Sequence, residues 1–75
     1  MDTIIEVENI ESENPILMFY DDVLLLGCYN GKQSGTTGTW IFTIPASDTT
    51  GKQGLYWYCI YEKENKTCFK KPIYF

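Results

Sequence analysis

The sequence predicts an all-β fold: a small antiparallel barrel or strongly curved sheet of five to six strands, in one domain over residues 1–75. Three observations predict it. Two aromatic, β-branched runs, T-W-I-F-T-I at 39–44 and L-Y-W-Y-C-I-Y at 55–61, flank a polar connection, as in an antiparallel hairpin. Nine of the twelve aromatic residues lie from Trp40 onward, so this half supplies most of the core. Glycine, proline and short polar clusters punctuate the chain at strand-like intervals.

At 75 residues a single core is only marginally sufficient, and large aromatics are one remedy, each removing about 150–250 Å² from water. Residues 3–10, T-I-I-E-V-E-N-I, read as a half-buried strand with Ile5 and Val7 on one side and Glu6 and Glu8 on the other. Pro15 ends that strand. Residues 15–29, P-I-L-M-F-Y-D-D-V-L-L-L-G-C-Y, admit two readings. One is a short helix within 15–27, with Asn14 as N-cap, Pro15 in the first turn and Gly27 after the end. The other is a hairpin in which Asp21-Asp22 joins strand 16–20 to strand 23–29. Apolar residues flank the acids on both sides without a polar stripe at helical spacing, which favours the hairpin.

Residues 30–38, N-G-K-Q-S-G-T-T-G, read as a surface loop. A phosphate-cradling loop would need the lysine after the second glycine and a helix to follow, and neither is present. In the strand at 39–44, Trp40, Phe42 and Ile44 share one face, and Pro45 stops it. The connection 46–54 is long for a hairpin loop. In the strand at 55–62, Leu55, Trp57, Cys59 and Tyr61 share one face, and Tyr56, Tyr58, Ile60 and Glu62 share the other. Both faces are apolar or aromatic, so the strand is either covered on both sides or offers one aromatic face to a partner. Trp40 and Trp57 are expected in the core. Lys63–Lys66 reads as a turn, Thr67–Lys70 as a short returning strand, and Pro72 as a break before the apolar tail Ile73-Tyr74-Phe75.

Cysteines 28, 59 and 68 are an odd number, which argues against a closed disulfide framework. The expected state is reduced, with the thiols as small buried hydrophobes, although Cys59 and Cys68 face a turn short enough to be bridged. The first residues carry no basic and apolar leader, and the longest apolar run, Val23–Tyr29, is too short to span a bilayer, which takes about 20 residues. A soluble, cytoplasmic protein without membrane contact is expected, and the sequon Asn65-Lys66-Thr67 then carries no sugar.

Without histidine, serine and cysteine triads and His-containing zinc sites are excluded, and three scattered cysteines do not make a Cys₄ site. Asp21-Asp22 is the obvious carboxylate pair, but adjacent acids in a turn are ordinary turn residues. The reading is therefore of a protein that is not an enzyme and holds no metal or cofactor. Residues 1–31 hold seven acids and no base, residues 32–75 hold six lysines and three acids, and the net charge is −4. The acidic half would suit a basic protein surface. The candidate partner-binding residues are Tyr56, Tyr58 and Ile60, the acids Glu6, Glu8, Asp21 and Asp22, and the tail Ile73, Tyr74 and Phe75. Since monomers rarely expose large apolar patches, a two-fold homodimer covering the tail is expected.

These features suit a non-enzymatic protein-binding module, a stoichiometric inhibitor or adaptor of the kind by which phages and other mobile elements block host defence. One alternative is a small β-barrel binding single-stranded nucleic acid through Tyr56, Tyr58, Lys63, Lys66, Lys70 and Lys71, against which stand the acidic balance and the absence of arginine. Another is an oligomer that sequesters a small ligand such as a nucleotide where subunits meet.

Overall fold

The computed structural model describes residues 1–63 and 68–75. Among these there are seven strands and one single-turn helix: β1 (Thr3–Val7), β2 (Ile16–Tyr20), β3 (Leu25–Asn30), β4 (Lys32–Gln33), β5 (Trp40–Ile44), α1 (Ala46–Thr49), β6 (Leu55–Tyr61) and β7 (Lys71–Tyr74). All pairings are antiparallel. The strands form two sheets, β1-β5-β4 and β3-β2-β6-β7. The expectation of an all-β fold holds, but the described residues close no barrel: the strands separate into two sheets that pack face to face.

Residues paired directly across antiparallel strands lie on the same face. Leu17 and Phe19 of β2 therefore share a face with Tyr58 and Ile60 of β6 and Tyr29 of β3. Phe42 and Ile44 of β5 share theirs with Thr3 and Ile5 of β1. The two faces meet in a core of Ile10, Leu17, Phe19, Phe42 and Ile44, with Ile5, Val7, Tyr29, Trp40, Tyr56, Tyr58, Ile60, Ile73 and Phe75 packed around it. The rings of Phe19, Tyr56 and Phe75 form a triangle with centroids 5.6–5.7 Å apart. Paired aromatics at this spacing add a modest attraction to their buried area. Reciprocal backbone bonds between Gly54 and Phe75, of 2.9 and 3.0 Å, fix the end of the chain in place.

Residues 15–27 contain no helix. The segment is the β2–β3 hairpin, because Leu17 and Phe19 alternate into the core and β2 pairs on both sides, with β3 and β6. The turn is wider than an Asp-Asp two-residue turn. Asp21 N–H donates to the Leu24 carbonyl at 3.1 Å, and Asp21 Oδ1 accepts from the Val23 and Leu24 N–H groups at 2.9 and 2.8 Å. Val23 and Leu24 thus belong to the turn, and Leu26 is the extra residue of a bulge between the Tyr20–Leu25 and Phe19–Gly27 pairs.

The 30–38 loop holds the two-residue strand β4, which pairs with Ile41 and Trp40. Gly31 carries the chain from one sheet to the other. A Cβ there would lie 2.7 Å from Phe42 Cε2, so only glycine lets the backbone pass this close to the core ring. The long connection after Pro45 is shortened by α1, whose Ala46 N–H donates to Asp2 Oδ1 at 2.9 Å. The returning strand is Lys71–Tyr74; residues 68–70 are outside any strand, and Thr67 lies outside the described residues. Pro72 sits within it because β7 is an edge strand, where one missing N–H interrupts no further ladder. The sequon at 65–67 and most of the 63–66 turn lie outside the described residues.

Cys59 and Cys68 are joined by a disulfide, with Cα atoms 5.4 Å apart, and Cys28 is free and exposed. This corrects the expectation of three buried thiols. Of the three, only Cys59 is buried, and it lies outside the core cluster between the sheets.

Candidate functional site

The two sheets have different outer faces. On the three-stranded sheet, Ile4 pairs with Thr43, and Glu6 with Ile41, which also pairs with Lys32. Charged and polar residues there interrupt the apolar ones, as on an ordinary solvated sheet.

The four-stranded sheet is unlike this. Its outward residues are set by register: Cys28 beside Met18 and Cys59, Leu25 beside Tyr20, Trp57 and Pro72, and Leu55 beside Tyr74. Ile16 and Tyr61 continue the face, paired with Asn30 on one side. None of these residues is charged. Met18, Tyr20, Trp57 and Tyr61 are half-buried, and Leu25, Leu55 and Tyr74 are exposed, Tyr74 at 74%. A strap crosses part of the face: the disulfide pins Cys68 to Cys59, and Lys70 Nζ lies 4.3 Å from the Tyr20 ring centroid. Such a cation over an aromatic face is mildly attractive and shields the ring from water.

The expected candidates are distributed over several places. Tyr56, Tyr58 and Ile60 point between the sheets and pack on the core, as do Ile73 and Phe75. Tyr74 lies on the outer face of the four-stranded sheet. Glu6 belongs to the outer face of the other sheet, Glu8 follows β1, and Asp21 and Asp22 form the tip of the β2–β3 hairpin. The expectation that Trp57 is a core residue is corrected: it is half-buried on the outer face, whereas Trp40 packs on the core. Residue alternation had already separated Trp57 from Tyr56 and Tyr58. What it lacked was a sign of which set faces in.

The hairpin tip is held by charge as well as by pairing. Backbone N–H groups of Leu24 and Val23, helped by Lys70, hold the Asp21 carboxyl below its usual 3.8. A depressed carboxyl stabilises the fold fully above its unfolded value and loses this as pH falls through the folded value. At the other end of β3, the Tyr29 hydroxyl donates to Asp48 Oδ2 at 2.8 Å. Burial first, and then this bond and the Asp48 charge, push the phenol from 10.0 up to about 12. A phenol raised in this way stabilises the fold below its unfolded value, and the contribution is lost as pH climbs from 10 towards 12. In an ultraviolet titration of tyrosinate, one late transition near the top of that window should vanish in Tyr29→Phe. A wild-type curve without a late transition would contradict the Tyr29–Asp48 contact.

Asp21 is committed to its turn, and no group of three Cys, Asp or Glu side chains among the described residues is placed to hold a metal ion. A cleft of about 490 Å³ borders the aromatic face, lined by Ser12, Glu13, Asn14, Ile16, Tyr61 and Lys63. Ser12 and Glu11 N–H groups there both donate to Glu62 Oε1, at 3.1 and 3.0 Å, so this carboxylate ties the β1–β2 connection to the end of β6. No helix among the described residues is long and apolar enough to cross a membrane. Compared with protein-family models, curated proteins and solved structures, the chain finds no match in any of the three.

Proposed function

We propose that this protein is a non-enzymatic protein-binding module, acting as a stoichiometric inhibitor or adaptor, and that it grips its partner with the outer face of the four-stranded sheet. The observation that carries this is that no strand residue of that face is charged, Lys70 reaching the Tyr20 ring from outside the strands, together with its content of Tyr20, Met18, Trp57, Tyr61 and Tyr74. Cores of protein interfaces are depleted in charge and enriched in tyrosine, tryptophan and methionine. A standard interface takes about 800 Å² from each partner, roughly 15% of the 5220 Å² this chain exposes. Asp21 and Asp22 stand at the hairpin tip beside the face, and the net charge is −4, so the fitting partner is a protein with an apolar patch and a basic rim. A phage or mobile-element protein that occupies host-defence machinery would act in this way.

The proposed place of action is the cytoplasm, and the Cys59–Cys68 bond sets a condition on it. Cytosolic thiols are kept reduced, so the fold must hold there with the bond open. Nucleic acid is a weaker fit, because its phosphates would meet a chain of net negative charge.

Affinity capture with the tagged protein tests the reading, using Trp57→Glu on the proposed face and Thr43→Lys on the other sheet's outer face. A protein captured in equal amount to the bait by the wild type and by Thr43→Lys, but lost with Trp57→Glu, is the expected result. Equal capture by both variants, or recovery of nucleic acid in place of a protein, would reject it.

A further inference from the structure

We infer that the free edge of β3 pairs with the β3 of a second copy, joining two four-stranded sheets about a two-fold axis close to Cys28. An edge strand presents a row of unpaired N–H and C=O groups, and proteins blunt such edges with charge, proline or very short strands. The two sheets have four edges, β1, β4, β3 and β7. β7 begins with Lys71-Pro72, β4 is two residues long and includes Lys32, and β1 carries Glu6 between the flanking Asp2 and Glu8. The β3 edge has none of these. Residues 23–31, V-L-L-L-G-C-Y-N-G, form a run with no charge, in a chain whose net charge of −4 opposes self-contact elsewhere.

Among the described residues, β3 pairs with β2 alone. Among the described residues, no backbone hydrogen bond outside the strand ladders involves residues 25–30, so the outward row is unused. Leu25 and Leu26 are 48% and 40% exposed beside it. A two-fold antiparallel contact is self-complementary: it uses both outward rows at once and puts the leucines of one copy against the uncharged strand of the other. The Leu26 bulge leaves Gly27–Asn30 as the regular run available for pairing. This contact uses the backbone edge rather than the Trp57 face, and it is independent of the function proposed above.

Light scattering of the full chain across a concentration series tests it, alongside Leu26→Lys and a short thiol crosslinker aimed at Cys28. The expected results are a dimer mass for the wild type, dimerisation weakened about tenfold or more by the charge that Leu26→Lys sets at each end of the paired strands, and a covalent dimer through Cys28 that Cys28→Ser abolishes. Trp57→Glu should leave the mass unchanged. Hydrogen exchange on the wild type gives the same answer without a variant: those amides of residues 27–30 that point away from β2 should be protected at high concentration and lose that protection on dilution. A monomer at high micromolar concentration would overturn the inference and leave the edge open to a foreign strand. A dimer that persists in Leu26→Lys, with no Cys28 crosslink, would overturn it by placing the contact elsewhere.

Discussion

Phe19→Ala is expected to cost about 3–5 kcal/mol of folding stability, as truncation of a fully buried phenylalanine does. Phe19 has no exposed surface, and its ring is shared between Tyr56 and Phe75, which come from the central strand and the end of the chain. Removing it leaves a void where the two sheets meet, and the rigid neighbours refill it only partly. A 75-residue domain is stable by roughly 4–11 kcal/mol, so the variant sits close to the unfolding threshold. Trp57→Ala is the informative companion. Although Trp57 is the larger side chain, it is half-buried on the outer face, and its truncation should cost less than half as much. Urea titrations of both variants check the order. A larger loss for Trp57→Ala than for Phe19→Ala would invert the assignment of inside and outside.

Reducing the Cys59–Cys68 bond is the second large effect. The bond closes a short loop, with a sequence separation of 9, and loop-closure entropy assigns a bridge of this span about 2–3 kcal/mol. The consequence reaches the candidate site, because the bond holds the strap that carries Lys70 over Tyr20. Thermal melts with and without reductant should show a lower but still cooperative transition on reduction, and Cys59→Ser should match the reduced wild type. Loss of all folded signal on reduction would show that the protein depends on the bond, and would contradict action in a reducing cytoplasm.

The strands at 39–44 and 55–61 were legible because each alternates strictly between two sets of large side chains, and the 15–29 hairpin because its apolar residues lack helical spacing. Which face of 55–61 lies inside was not legible. Leu55, Trp57, Cys59 and Tyr61 are as apolar as Tyr56, Tyr58 and Ile60, and a period of two names the sets without ranking them. The choice is made by tertiary partners, Phe19 and Phe75, which stack on Tyr56. Val23 and Leu24 looked like strand residues and are turn residues, because the Asp21 carboxylate captures their N–H groups. β4 has only two residues and leaves no pattern to detect. α1 did leave one, in Pro45 ahead of Ala46-Ser47-Asp48, a proline and an early acid being common at helix starts.

β6 turns its Tyr56 side to the core and, in the proposed function, its Trp57 side to a partner. The most direct test is a thermal melt of two variants that place the same charge on adjacent residues, Tyr56→Glu and Trp57→Glu. With this orientation Tyr56→Glu, which buries a carboxylate among Phe19 and Phe75, is expected to abolish cooperative folding, while Trp57→Glu retains a cooperative transition. A folded Tyr56→Glu alongside an unfolded Trp57→Glu would contradict it.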